Sequence, residues 1–352
     1  MRCTRCVLPD HTPNIVFGED RVCNYCHTYE KFHYRGEAEL LRTLDSFRRP
    51  DSKYDCLVGI SGGRDSSYLL LKLVKDYGMK VLAVNYENPF TVPQAKANIE
   101  NAIAALNVDI IRFQDKNDRH RRVCRDVVTA WFQRPSPALI PMVCIGCKPA
   151  WLGIYGIAKA HDIHCIASGG NPFEVISFKR ELLGISRDET SNRAFFKYVY
   201  SLQEIVRNGA YFRPSIILAL VKSYLLGNPY SIGLRLLWPD ITWVEAFNYI
   251  EWTEQEIISR IETELGWNSP PQVRSTWRFD CRVKHLVDFM YVKTIGMTDK
   301  DEFYAKMVRE GLMSRKDALR RLEEEDKLYL DQVHLMLSQA GIQDVSLLDK
   351  LN

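Results

Sequence analysis

The chain has 352 residues, 46% apolar and 26% charged, and a formal net charge of +3. That length accommodates more than one domain and a sizeable core, and the balance is that of a globular protein rather than a disordered one. So small a charge excess argues against a large nucleic-acid footprint, although a local basic patch fits inside a balanced total.

The first thirty residues carry Cys3-Thr4-Arg5-Cys6 and Cys23-Asn24-Tyr25-Cys26, two C-x-x-C pairs separated by sixteen residues. That spacing predicts a four-thiolate zinc site in a ribbon-like segment spanning 1–30. Four protein ligands leave no open position for water, so the expected role of Zn2+ is structural. Disulfides are the alternative. No apolar leader follows Met1-Arg2-Cys3, so the expected compartment is cytoplasmic, and there ten cysteines point to metal or redox chemistry. The apolar stretch Pro214 to Leu226 is too short to span a bilayer and carries Lys222, so no membrane span is expected.

Residues 29–53 read as an amphipathic helix and linker. A nucleotide-binding α/β domain is expected over 54–175, with strand and helix alternating: strand 55–60, helix 66–77, strand 80–85, helix 94–106 and strand 108–113. This order predicts a Rossmann-like parallel sheet with helices on both faces. Between the first strand and helix lies Ser61-Gly62-Gly63-Arg64-Asp65-Ser66-Ser67. Its glycines let backbone approach a ligand, its serines add hydroxyls, and the helix N-terminus and Arg64 favour an anion. The loop is a phosphate cradle of neither the Walker A nor the Gly-x-Gly-x-x-Gly type. Ligands in such sheets bind at the carboxyl ends of the strands, which places Asn85 and Tyr86 beside the loop, where an adenosine would lie.

A charged helix is expected over 115–132, with Arg119, His120, Arg121, Arg122 and Arg125 forming either a solvated face or a cationic wall for substrate phosphates. After a break at 135–141, Cys144-Ile145-Gly146-Cys147 opens a helix (148–161), a setting that lowers thiol pKa values. A strand over 163–168 ends in Gly169-Gly170-Asn171-Pro172, and these glycines are assigned to the nucleotide or acceptor pocket. With the remote Cys281, Cys144 and Cys147 could hold three irons of a [4Fe-4S] cluster and leave the fourth open. A redox dithiol, a second zinc, or a core role for Cys281 are the other readings. Cys56, Cys124 and Cys165 read as core. Residues 176–352 are expected to be a mainly helical substrate region, with helices near 215–226, 243–249, 253–265, 283–294, 300–310 and 314–325. Most aromatic residues between Phe195 and Trp277 are expected in the core.

The Ser-Gly-Gly-x-Asp-Ser pattern resembles the pyrophosphate loop (PP-loop) of the N-type ATP pyrophosphatase superfamily. The opening Cys3-x-x-Cys6-Val7-Leu8-Pro9-Asp10, the Cys23 and Cys144 pairs, Gly170-Asn171-Pro172 and the tail from Arg309 to Leu319 add to this. Together they resemble the N-acetyl sugar amidotransferase family of surface-polysaccharide biosynthesis, nearly end to end. Arg64 stands where that pattern has lysine. The resemblance implies ATP with Mg2+ and adenylation of an amide oxygen on a nucleotide-linked sugar. Displacement of AMP by nitrogen from a partner glutaminase would follow. Asp65, Arg64, Cys144 and Cys147 are the residues expected to carry the chemistry. The three internal cysteines are also similar to those of sulfur-inserting relatives that thiolate transfer RNA, so an ATP-dependent sulfurtransferase with its own sulfur donor is the alternative. A zinc-knuckle RNA- or nucleotide-binding protein without turnover is the third reading.

Overall fold

In the computed structural model the described residues are 1–185, 193–271, 275–344 and 348, with side chains left out of the account at 193–196, Phe195 among them. Five strands form one parallel sheet: β1 (Cys56–Gly59), β2 (Val81–Tyr86), β3 (Asp109–Phe113), β4 (Cys165–Ser168) and β5 (Thr242–Glu245), in the order β3-β2-β1-β4-β5. The central strands are nearly continuous apolar runs because both sheet faces are covered. Alternation still sorts them: Cys56, Val58, Ala83 and Ala167 join the main core, while Leu57, Leu82, Val84 and Ile166 face the other way.

Helices α1 (Arg64–Leu71), α2 (Pro93–Leu106), α3 (Arg119–Gln133) and α4 (Ala150–Ala160) connect the first four strands. Tyr155 and Ala158 of α4 cover the second face. This is the α/β, Rossmann-like arrangement expected from the alternation, followed by a mainly helical C-terminal region.

Two local readings differ. Residues 242–245 form a strand, where a helix over 243–249 was expected. Trp243 and Val244 pair with Ile166 and Ala167 of β4, and this partner arrives from 77 positions earlier in the chain, leaving no local signature. Cys144 and Cys147 do not open a helix; they close a 3₁₀ helix (Pro137–Cys147) packed against α3 and against α6 (Val283–Ile295). Stretch 137–160 is, by length and composition, apolar enough to cross a membrane, and 44% of its most apolar 18-residue window is buried within the fold.

The C-terminal region includes α5 (Glu254–Leu265), α6, α7 (Asp299–Glu310) and α8 (Arg315–Glu325). Thr298 and Asp301 form a full capping box at the start of α7, and the Ser314 hydroxyl accepts from Asp317 N–H at 3.1 Å to cap α8. The four-cysteine segment docks on these two helices: Arg2 pairs with Asp301 at 2.7 Å and Arg309 donates to the Tyr25 carbonyl at 3.3 Å.

Candidate functional site

The strand order reverses between β1 and β4, so the loops leaving their carboxyl ends frame the crevice where doubly wound sheets bind ligands. The loop after β1 shapes its floor. Gly62 has φ +80°, and a Cβ there would stand 2.0 Å from the Ala95 carbonyl oxygen, so this glycine makes room for α2 rather than for a ligand. A Cβ on Gly169 would stand 2.8 Å from the Asp65 carbonyl oxygen; that glycine lets the end of β4 meet the first turn of α1. Gly63 differs. Its Cβ would point toward Asp280, 3.7 Å away, into the open cavity.

That cavity, about 240 Å³, is lined by Ser61, Gly63, Arg64, Asp65, Ser66 and Gly169, all expected from the sequence. Glu174, Thr276, Trp277, Arg278 and Asp280 complete it, and the sequence reading assigned them no such role. The remaining expected residues lie beside it. Ser67 is buried and donates to the Gly63 carbonyl at 2.8 Å, closing the turn. Asn85 donates to the Ile60 carbonyl at 2.7 Å and so pins the loop's entrance. Tyr86 stacks on His120, with its hydroxyl 3.1 Å from Nδ1. Gly170 donates to Ser168 Oγ at 3.1 Å.

Arg64 is 2% exposed and almost fully engaged. Nη1 donates to Glu254 and, at 3.0 Å, to Thr276; Nε faces Asp65 at 3.2 Å; the guanidinium lies 4.7 Å from the Trp252 ring centroid. Nη2 has no hydrogen-bond partner among the described residues. A buried cationic donor left unpaired is costly, and an anion in the cavity would satisfy it. Burial pushes Asp65 up to about 6, against the pull of Arg64 and with the Glu174 charge adding to the rise. Trp252 Nε1 donates to Asp65 at 2.9 Å. Burial also raises Asp280, while a hydrogen bond from Ser61 opposes it. Arg278, at φ +52°, faces Glu174 at 3.7 Å. Three carboxylates against two guanidiniums would repel a bare polyphosphate. They suit a phosphate chain that brings a divalent cation.

The four N-terminal cysteines are buried, and their sulfurs all lie within 4.8 Å of one another. Sγ separations of 3.9 Å (Cys3–Cys26) and 3.8 Å (Cys6–Cys23) match the roughly 3.8 Å edge of a tetrahedron with Zn–S near 2.3 Å. The backbone N–H of Cys23 points at Cys3 Sγ from 3.3 Å, a bond that favours thiolate. The geometry fits zinc.

Cys281 follows Asp280 directly and accepts from Asn88 Nδ2 at 3.3 Å. Cys144 is close enough to raise both Cys147 and Cys281, and Arg278 is close enough to stabilise a Cys147 thiolate. The three thiols therefore share one neighbourhood beside the cavity. Among the described residues, Cys3, Cys6, Cys23 and Cys26 are the group tight enough for a single metal ion. Burial under α3 and α6 pushes Cys147 up to about 11, the reverse of the lowering expected at a helix N-terminus. Cys56, Cys124 and Cys165 are buried core. The basic face of α3 is largely paired: Arg119 with Asp115 at 2.6 Å, Arg121 with Asp118 at 3.6 Å. Arg119 and Arg122 border a separate hollow with Lys222, and burial lowers His120 to about 4.

No protein-family profile matches the chain. An uncharacterized protein of Methanocaldococcus jannaschii is 29% identical over 138 residues, which is 36% of this chain; the match spans about half (50%) of that protein's length. Among solved structures, NMN synthetase from Francisella tularensis aligns over 88% of this chain and 94% of its own, at 12% identity and a TM-score of 0.36. The U34-tRNA thiolase NcsA from Methanococcus maripaludis with its [4Fe-4S] cluster aligns over 98% of this chain and 89% of its own, at 10% identity and a TM-score of 0.34.

Proposed function

We propose that this chain is a cytoplasmic PP-loop enzyme that uses Mg2+ and ATP to adenylate an amide oxygen and then replaces that oxygen with nitrogen. The observation that carries the reading is a carboxylate-lined cavity at the sheet's switch point walled by Arg64, whose buried Nη2 has no partner among the described residues. In the first step the acceptor oxygen bonds to the α-phosphorus and the α–β bridging bond breaks, releasing pyrophosphate. Ser61, Ser66 and Arg64 would hold the departing pyrophosphate, and Asp65 with Asp280 would hold Mg2+, which would supply charge neutralisation. In the second step ammonia attacks the activated carbon, AMP leaves and a proton is lost. Zn2+ in the Cys3/Cys6/Cys23/Cys26 site has a structural role.

The end-to-end motif resemblance supports an N-acetyl group of a nucleotide-linked sugar as acceptor and a glutaminase partner as ammonia source. A second reading rests on the thiols. Cys144, Cys147 and Cys281 beside the cavity favour sulfur insertion through a [4Fe-4S] cluster. Incubation with ATP, a nucleotide-linked N-acetyl sugar and either ammonia or sulfide tests both. Ammonia-dependent AMP release, with a product about one dalton lighter, is expected; a gain of about sixteen daltons with sulfide would instead establish sulfur insertion. Absence of AMP with either donor would refute the proposal and leave a binding protein.

A further inference from the structure

Arg64 is oriented from behind, by residues that never reach the cavity's centre. Its Nη1 shares Glu254 with Thr276, whose hydroxyl donates to Glu254 Oε1 at 2.9 Å. On its far side Glu254 is gripped by Arg321 of α8, through Nη1 to Oε2 and Nη2 to Oε1 at 3.3 Å. Arg321 is itself aimed by Glu325, at 2.6 Å, and by the Tyr304 ring 4.8 Å away. Six residues earlier, at the first position of the same helix, Arg315 donates to the carbonyls of Cys3 (3.1 and 2.9 Å) and Cys6 (2.9 Å). One rigid helix therefore holds the four-cysteine segment at its start and the counter-ion of the phosphate loop about 9 Å further along.

We propose that Glu254 and Arg321 are positioning residues for Arg64, and that α8 couples metal binding at the four cysteines to nucleotide binding at the loop. The Cys3 and Cys6 carbonyls sit on a turn held closed by thiolates converging on one point, in a segment too small to carry a core of its own. With the turn open, Arg315 loses its three acceptor contacts and α8 loses its anchor. Arg321 then releases Glu254, and the Arg64 guanidinium loses the support that fixes it in the cavity wall beside Asp65. Coupling between sites is reciprocal, so bound nucleotide tightens the metal site by the same factor.

The inference rests on the proposed nucleotide site, and binding of Mg·ATP without acceptor, measured by calorimetry, separates the two. In the zinc-loaded chain, binding is expected; its absence would overturn both the proposed function and the coupling. Removal of metal with a zinc-selective chelator should weaken ATP binding about tenfold, within the roughly 5- to 150-fold range of inter-site coupling. Saturating ATP should tighten zinc by the same factor. Arg321→Met should bind ATP about tenfold more weakly when loaded, and chelation should then change its affinity less than twofold. A merely structural Arg321 would not abolish that metal sensitivity. Where chelation unfolds the chain, as circular dichroism would show, Arg315→Met in the metal-loaded protein decides: it should weaken ATP binding about tenfold. Unchanged ATP affinity in folded, metal-free protein, undiminished metal sensitivity in Arg321→Met, or normal ATP binding by Arg315→Met would overturn the proposal.

Discussion

Replacing each of the two adjacent loop glycines by alanine should give opposite phenotypes. At Gly62 the new methyl group meets two obstacles: φ is +80°, and the Ala95 carbonyl oxygen lies 2.0 Å from the Cβ position. The left-handed conformation costs an L-residue about 1–2 kcal/mol, and forcing α2 aside adds about 1–3 kcal/mol of overpacking. Gly62→Ala should therefore lose about 2–5 kcal/mol, a large share of the roughly 5–15 kcal/mol that holds a typical domain together. At Gly63, φ is an ordinary −73°, and the nearest atoms to the Cβ position are the Ser61 hydroxyl at 3.3 Å and the Asp280 carboxylate at 3.7 Å. Gly63→Ala should stay within about 1 kcal/mol of the parent yet bind Mg·ATP at least about tenfold more weakly, because the methyl group occupies the cavity wall. Urea titration and calorimetry on the two variants provide the test. A Gly62→Ala chain as stable as its parent, or a Gly63→Ala chain with normal ATP affinity, would refute this division of labour.

Asp65 should give the chain a pH signature. Its native pKa of about 6 exceeds the roughly 3.9 of an unfolded aspartate, so the native state binds more protons between those values. The stability it contributes is complete below about pH 4 and lost as pH rises through 6, by up to about 3 kcal/mol for this largely buried group. Asp65→Asn should flatten that part of the profile, measured by urea unfolding without Mg2+, and should abolish AMP formation. Parallel profiles in the two proteins would remove Asp65 as the source. Cys3→Ser should lower bound zinc from about one per chain to near zero and reduce the unfolding temperature by roughly 5 °C or more. Full metal content by elemental analysis would show that the four cysteines are not its site.

Features whose determinants are neighbours along the chain were legible. Apolar runs bounded by turns marked β1 to β4, the two C-x-x-C pairs marked the thiolate cluster, and Gly-Gly followed by Arg-Asp-Ser-Ser marked the phosphate loop. The distant partners of the loop's charged side chains were not legible. Trp252, Glu254 and Thr276 reach Asp65 and Arg64 across 187, 190 and 212 positions, and no local spacing announces such a contact. Arg278 and Asp280 stood in view beside Cys281, but only their convergence on Ser61 and Gly63 gives them a place at the site.

The sequence alone thus determined the order of the first four strands and the helices between them, the glycine-rich turn after β1 and the identity of the four clustered thiols, because each depends on residues a few positions apart. Tertiary structure alone decided which loop residues line the cavity. Gly62 and Ser67 were claimed by helix packing and turn closure, and Ser61, Gly63, Ser66 and Gly169 were left lining the cavity. It also engaged Arg64 with Glu254, Thr276 and Asp65, leaving Nη2 without a partner among the described residues, and burial pushed the Cys147 thiol up rather than down. In each case burial and partners from distant segments set the outcome, and these exist only once the chain has closed on itself.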